Sequence, residues 1–551
     1  MTDPHPFGAD DLTPRHPYGI SSADDRKSSS AARDRVESPS ILNDVLGPVM
    51  RGPSSSHTAG SYRIGVTLRN LLGGQPDRAV FTFDPAGSYA QTYRQQGVDL
   101  ALAAGLLGWP ITARSFRQAM DEARRRGLVI QFRIAPIPGA RHPNTLQARL
   151  KDAAGRRLEA TAESTGGGAF RIAKLDGRSV PLDGKTYDVL VWADRAARPA
   201  LKKALAGPLS PAAEARWVVQ DAVALLSLRL LDPPPQKWLL SLSRLDGIRQ
   251  VRSSKPVYFV QRGQPLFASA DELLRLAKRR KWTLGRMALA YESSLLSLPT
   301  QDVEAEMLRR YAVMENAVEA GLRGRGVRMQ LLRPTAHKVW RAEKSGRLPA
   351  GGQPARAAAR ALAAMHVSNS MGVVCAAPTG GSAGVLPGVI VTLAKEKKLP
   401  PQMIVRSLLA AGAVGLILAK RATFAAEVAG CQVEIGAAGA MAAAAVVEAA
   451  GGTAGEAADA AAIAFQNTMG SVCDLVQGMC EIPCHTRNAV AAASAFVCAD
   501  LSMGGYRNPI PLDETIDAVF ESGKMLPPEL RCTARGGLAM TPSARRLPRL
   551  I

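Results

Sequence analysis

The last third of the chain constrains the fold most, because long Ala/Gly-rich apolar runs alternate there with cysteines. Residues 408–419 and 435–450 are almost wholly alanine, glycine and larger apolar residues. They are short or end in charge (Lys420, Glu448), so they read as buried helices rather than membrane spans. Small side chains let such helices pack closely. In the same third stand Cys431, Cys473 and Cys484, each beside a small or turn-forming residue: Gly430, Asp474 and Pro483. Their wide spacing is not the compact CxxC of a zinc ribbon or a ferredoxin. Three thiolates from distant segments could hold an iron–sulfur cluster in a site built by tertiary folding, with one iron lacking a cysteine. Such an iron can act as a Lewis acid on a hydroxyl. Spacing alone leaves that reading open beside a plainer one, buried core thiols.

Two loops carry further chemistry. The first, GPSSSHTAG at residues 52–60, runs into a predicted helix. Hydroxyls and free N–H groups at a helix start make an anion site, suited to an amino-acid carboxylate. His57 adds a group that titrates near neutrality. The plain alternative is a helix cap with a solvent-facing histidine. The second loop, PTGGSAG at residues 378–384, is small, flexible and rich in available N–H groups. It reads as an anion-binding loop before a helix, although simple turns share this composition.

These motifs, in this order, resemble the iron–sulfur L-serine dehydratases (L-serine ammonia-lyases). The resemblance rests on GPSSSHTAG, on SMGVVCAAPTGGSAGVLPGVI at 370–390 and on GCQ at 430–432. It rests also on the CD after the MG turn, on IPC followed by RN, and on the tail RCTARGGLAMTPSARRL. It spans roughly residues 39–175 and 250–545. It implies a [4Fe–4S] cluster on Cys431, Cys473 and Cys484, with L-serine as the small-molecule substrate and a homodimer as the assembly. It implies catalytic roles for His57, Ser55 and Lys338, with His57 as the base candidate. Ser54, Ser56, Thr58, Thr379, Gly380, Gly381, Ser382 and Gly384 would contact substrate, the two loops holding carboxylate and ammonium from opposite sides.

The chain also departs from the family. QQGVD stands where relatives show a GHGTD-like segment, so Gln96 and Val98 replace a His and a Thr. The Gly pair that relatives carry before Lys338 is missing. Cys480 is an alternative ligand, left out because relatives place an apolar residue there. Cys375 and Cys498 read as core, and Cys532 sits where relatives have Glu. The closing RRLPRLI lacks the cysteine that some single-chain relatives carry. Two rival functions remain. A pyridoxal-phosphate lyase needs a Schiff-base lysine in an apolar pocket, whereas Lys338 and Lys395 lie among charges. A non-catalytic amino-acid sensor would keep the binding loops without turnover.

The expected architecture is multidomain α+β. Residues 1–38, rich in Pro, Ser, Asp and Arg, read as a disordered arm. Residues 39–177 read as an α/β domain with a twisted sheet. Residues 178–245 read as a linker or degenerate regulatory segment, with a strand at 187–195 and an amphipathic helix at 215–232. Residues 246–551 read as a mostly helical catalytic domain. A net charge of +22 would ordinarily suggest nucleic acid, but the cations are scattered and aromatics are only 5%. No specific nucleic-acid partner is expected. No cysteine precedes Cys375 and no apolar signal core opens the chain, which favours a reducing cytoplasm without membrane attachment.

Overall fold

A buried strand needs alternate inward side chains, and the first half of the chain supplies them. The computed structural model describes residues 38–205, 214–220 and 223–549. The expected arm, apart from Ser38, therefore lies outside the described residues. β1 (Val49–Arg51) is short. β2 (Arg78–Phe83) points Ala79, Phe81 and Phe83 inward. β3 (Val129–Ile134), β4 (Thr145–Lys151), β5 (Arg157–Gly166), β6 (Ala169–Leu175) and β7 (Arg178–Leu182) complete a six-stranded sheet in the order β3-β2-β4-β5-β6-β7. β2 and β3 are parallel, and the other neighbours are antiparallel. The parallel pair needs a crossover. Helix Val98–Leu107 lies in it and packs on helix Gly60–Leu72.

The stretch 178–245 contains more structure than its sequence suggests. β8 (Tyr187–Asp194), β9 (Glu214–Gln220), β10 (Val223–Leu230) and β11 (Ile248–Ser254) form an antiparallel sheet in the order β11-β8-β10-β9. Helices Arg198–Leu205 and Gln236–Ser243 connect it in a β-α-β-β-α-β sequence. The amphipathic helix expected at 215–232 is instead the β9–β10 hairpin. The reason is burial on both faces. Val189, Val191, Leu226 and Leu228 face the two helices, while Leu190, Trp192 and Leu225 join the core of the six-stranded sheet. A strand covered on both sides reads as a continuous apolar run, which periodicity cannot tell from a helix.

The remainder is helical, as the Ala/Gly runs require. Helix Ile435–Ala449 lies at the centre, against Pro401–Arg421, Ala454–Gln466 and Cys484–Met503. Small residues permit close crossings. A Cβ on Gly321, in helix Thr300–Arg323, would come 2.0 Å from Ala363 O of helix Gly352–Asn369. Two described helical stretches, Pro401–Arg421 and Cys431–Ala449, are long and apolar enough to cross a membrane, but their most apolar windows are 78% and 94% buried within the protein. The whole is α+β, about half helix.

The chain before β2 ties the layers together. Ile41, Leu42, Val45 and Leu46 belong to the helical core. Glu292, fully buried, accepts the N–H groups of Ile41 and Leu42 at 2.8 and 2.9 Å and the Ser40 hydroxyl at 2.5 Å. β1 then pairs antiparallel with β12 (Val373–Cys375), immediately before the PTGGSAG loop. This pairing places the two candidate loops side by side.

Candidate active site

The two loops touch. A Cβ on Gly380 would lie 2.7 Å from the Ser55 backbone N, so only glycine permits this approach. Ser54 caps the turn Ser55–Ala59, its hydroxyl accepting from His57 N at 3.2 Å. Ser54 and Ser56 then face an inner cavity of about 10 Å³, room for a single water. Gln96, Gly381, Glu427, Glu434, Cys473, Cys480, Cys484 and Cys532 also line it. Cys431 is within hydrogen-bonding contact of Cys473. The structure thus brings together the three singled-out cysteines and two more, all at most 8% exposed.

Each thiol arrives from a different local device. Gly430, at φ 77°, turns the chain into the short helix Cys431–Val433. Cys473 and Cys532 are clamped by backbone: Cys473 N donates to Leu530 O at 2.8 Å, and Cys532 N to Cys473 O at 2.9 Å. Cys532 sits in the left-handed region at φ 62°, which costs a non-glycine residue about 1–2 kcal/mol. Cys484 opens helix Cys484–Met503 after Pro483, and its carbonyl accepts from Asn488 at 2.8 Å. Contact with Cys473 and burial push the Cys431 thiol well above its ordinary range. Contact with Cys484 and burial do the same to Cys480. Among the described residues, no three His, Cys, Asp or Glu side chains are set to grip a single metal ion.

His57 stands just behind the cavity wall, fully buried. Its Nδ1 meets Ser56 Oγ at 3.0 Å and Ser54 Oγ at 3.3 Å, while Nε2 meets Ser88 Oγ at 3.1 Å. Burial drives its pKa down to about 4, against the pull of Glu427, so the imidazole is neutral at neutral pH. Glu427 accepts from Ser56 Oγ at 3.0 Å and from Asn144 Nδ2 at 3.2 Å, with His57 Nδ1 at 3.9 Å. Burial works against its charge, but the attraction of a protonated His57, its own N–H and these donors lower its carboxyl below the usual range, and the donors remain when His57 is neutral. Glu434, half-buried at the surface of the cavity, is pushed well above that range by desolvation and by the Glu427 charge. Two carboxyls in one cavity thus have their pKa values pushed in opposite directions, the pattern that separates an acid from a base.

The other singled-out residues fall behind this wall or elsewhere. Ser55 and Thr58 are buried, and the Thr58 hydroxyl donates to Gln96 O at 2.8 Å. Thr379, Gly380, Ser382 and Gly384 form a loop closed on itself. Thr379 N donates to Ser382 Oγ and Ser382 N to Thr379 Oγ1, both at 3.2 Å, and Gly384 N donates to Asn488 Oδ1 at 3.1 Å. Lys338 is not brought in. It is exposed on helix Ala336–Lys344, and neither it nor any other lysine lines the cavity. Gln96 occupies the wall and donates to Gly478 O at 2.8 Å. Sequence reasoning passed over Glu427 and Glu434, gave Asn144 no role, set Cys480 aside as an alternative ligand and left Cys532 without a role. The two glutamates had a signal: they are charges in an otherwise apolar run on either side of Cys431.

Sequence comparison adds an independent line. The family described as the serine dehydratase alpha chain matches residues 209–539. A probable L-serine dehydratase alpha chain of Bacillus subtilis is 39% identical over 287 residues, 52% of this chain and 95% of that one. A probable L-serine dehydratase beta chain of the same organism is 40% identical over 148 residues, 27% of this chain and 66% of that one. An L-serine dehydratase of Streptomyces coelicolor is 34% identical over 288 residues, 50% of this chain and 61% of that one.

Proposed function

The chain belongs to the serine dehydratase family, and from that membership we propose that it is an L-serine ammonia-lyase, converting L-serine to pyruvate and ammonia. One observation carries the reading at the level of chemistry. Cys431, Cys473 and Cys484, from separate segments, converge on one buried wall that also presents Ser54, Ser56, Glu427 and Glu434. Thiolates are the donors that iron–sulfur clusters take, and these three cysteines would hold a [4Fe–4S] cluster. When bound, such a cluster supplies Lewis acidity toward the substrate β-hydroxyl.

The chain's own groups do the rest. Glu427, kept ionised, faces the substrate ammonium. Ser56 Oγ stands between the cavity and His57 Nδ1. In the tautomer with its proton on Nε2, His57 donates to Ser88, and when the Ser56 hydroxyl turns its proton from Glu427 to Nδ1 it can pass the Cα proton to His57. Loss of water then leaves an aminoacrylate, which tautomerises to an imine and hydrolyses to pyruvate and ammonia. The buried wall keeps bulk water from the thiols. Lys338, exposed and outside the cavity, has no part in this scheme. The reading includes a reducing compartment, which protects such thiols. It also includes a homodimer, which sedimentation would check. A pyridoxal lyase fits less well, because no lysine lines the cavity.

The test is anaerobic. Iron, sulfide and pyruvate formation from L-serine are measured on the same preparations of the wild type and Cys431→Ala. About four irons per chain with pyruvate in the wild type, and loss of both in the variant, support the reading. Folded wild-type protein with neither iron nor pyruvate, or full turnover by the variant, overturns it.

A further inference from the structure

Beside the inner cavity lies a second one of about 240 Å³, and the two share Glu427 and Cys532 as lining residues. At about 30 Å³ per water, the outer cavity has the volume of roughly eight waters, enough for a free amino acid. Its chemistry is asymmetric. The inner wall presents Glu427, Glu434 and thiols, with neither lysine nor arginine among its lining residues. The cations lining the pair of cavities are Arg531 and Arg535, both on the outer one. An amino acid is a zwitterion, so this arrangement orients it. The ammonium turns inward to Glu427, and the carboxylate, repelled by that one charge, turns toward the arginines of the outer cavity.

Of the two, Arg531 is the built residue. Its backbone lies beside Cys473 in a short parallel bridge, and the next residue, Cys532, is hydrogen-bonded to Cys473. Nη1 donates to Val428 O at 3.3 Å, just past Glu427. Nε, however, is fully buried and has no partner. What reaches the outer cavity is the remainder of the guanidinium, since Arg531 as a residue is half-buried and lines that cavity. Arg535 is exposed. The loop Thr379–Gly384, one of the two anion sites expected from sequence, commits the N–H groups of Thr379 and Ser382 to each other's hydroxyls and that of Gly384 to Asn488.

We propose that Arg531 binds the α-carboxylate of the substrate and so makes the site specific for amino acids with a free carboxylate. This rests on the lyase reading above, and it names a residue that reading does not use. In this arrangement the carboxylate lies at Arg531, the ammonium at Glu427, and the β-carbon toward the thiol wall.

The experiment uses anaerobically purified full-length protein. Binding of L-serine and of its neutral amide, L-serinamide, is measured by calorimetry on the wild type, Arg531→Met and Arg531→Lys. Pyruvate formation, iron content and melting temperature are followed in parallel. Arg531→Met is expected to weaken L-serine binding about 10- to 100-fold, the range for a charge-assisted hydrogen bond. L-serinamide binding should change less than about twofold, and Arg531→Lys should recover part of the loss for L-serine alone. Equal weakening of both ligands, or none, overturns the proposal, because a merely structural arginine does not distinguish carboxylate from amide. If the wild type binds L-serine without making pyruvate, the lyase reading fails while the binding ratio still decides on Arg531. If it binds neither ligand, both fail.

Discussion

Glu427 is the residue at which three distant parts of the chain meet. Ser56 and Asn144 donate to one of its oxygens, and His57 lies behind them. Its ionised state depends on those partners, since burial alone would protonate it. Glu427→Gln keeps the size and the acceptor oxygen but removes the charge. The expected outcome is a KM for L-serine raised about 10- to 100-fold, the value of a hydrogen bond to a charged group, with the cysteine wall intact. Pyruvate kinetics and iron content on the same anaerobic sample would check this. An unchanged KM would remove Glu427 as the ammonium site. Much at this scale was legible. The serine–histidine loop and the three cysteines were singled out by residue type, and the structure brings Ser54, Ser56, Cys473 and Cys484 onto one wall with Cys431 beside it. Cys532 was not interpretable, because its place beside Cys473 comes from a backbone bridge between residues far apart in the chain.

At the scale of elements, β8–β11 form the instructive case. Asp188, on β8, is 2% exposed. Burial pushes its pKa up to about 7, helped by Asp183 and Glu214 and opposed by the Thr186 hydrogen bond and Arg229. The sign follows directly. The folded state prefers the protonated acid, so this group's contribution is present in full below about pH 4. It is lost as pH rises toward about 7. Asparagine imitates the protonated form at every pH. The melting temperature of Asp188→Asn should therefore gain on the wild type between pH 5 and pH 8, read by thermal denaturation at matched ionic strength. A constant difference across that range would contradict it. The helices were legible because an apolar stripe of period 3.6 is a local property. The hairpin at β9 and β10 was not, because the second layer that buries it lies elsewhere in the chain.

At the scale of the molecule, the stretch before β2 joins the sheet layer to the helical one. Ile41, Leu42, Val45 and Leu46 fill the helical core, and each buried side chain of this size is worth about 1.5–3 kcal/mol. Glu292 holds the same segment by its hydroxyl and N–H groups. A chain cut after the exposed Gln264 and expressed as residues 1–264 and 265–551 should therefore reassemble. With a tag on the second piece, the two should co-purify at equal stoichiometry, and the second piece alone should aggregate. A monodisperse second piece without the first would show that the segment is dispensable.

The sequence by itself determined the helical build of the last third, the α/β character of the first, and the residue types around which a site could form. These are local matters, settled by side-chain size, periodicity and turn chemistry within a few residues. The tertiary structure alone decided that Ser56, Glu427 and Arg531 line adjacent cavities with Asn144 behind Glu427, that Lys338 stays outside, and that Thr379 and Ser382 of the PTGGSAG loop commit their N–H groups to each other's hydroxyls. A site assembled from segments hundreds of residues apart takes its charge pattern from long-range packing, and no local window of sequence contains that packing.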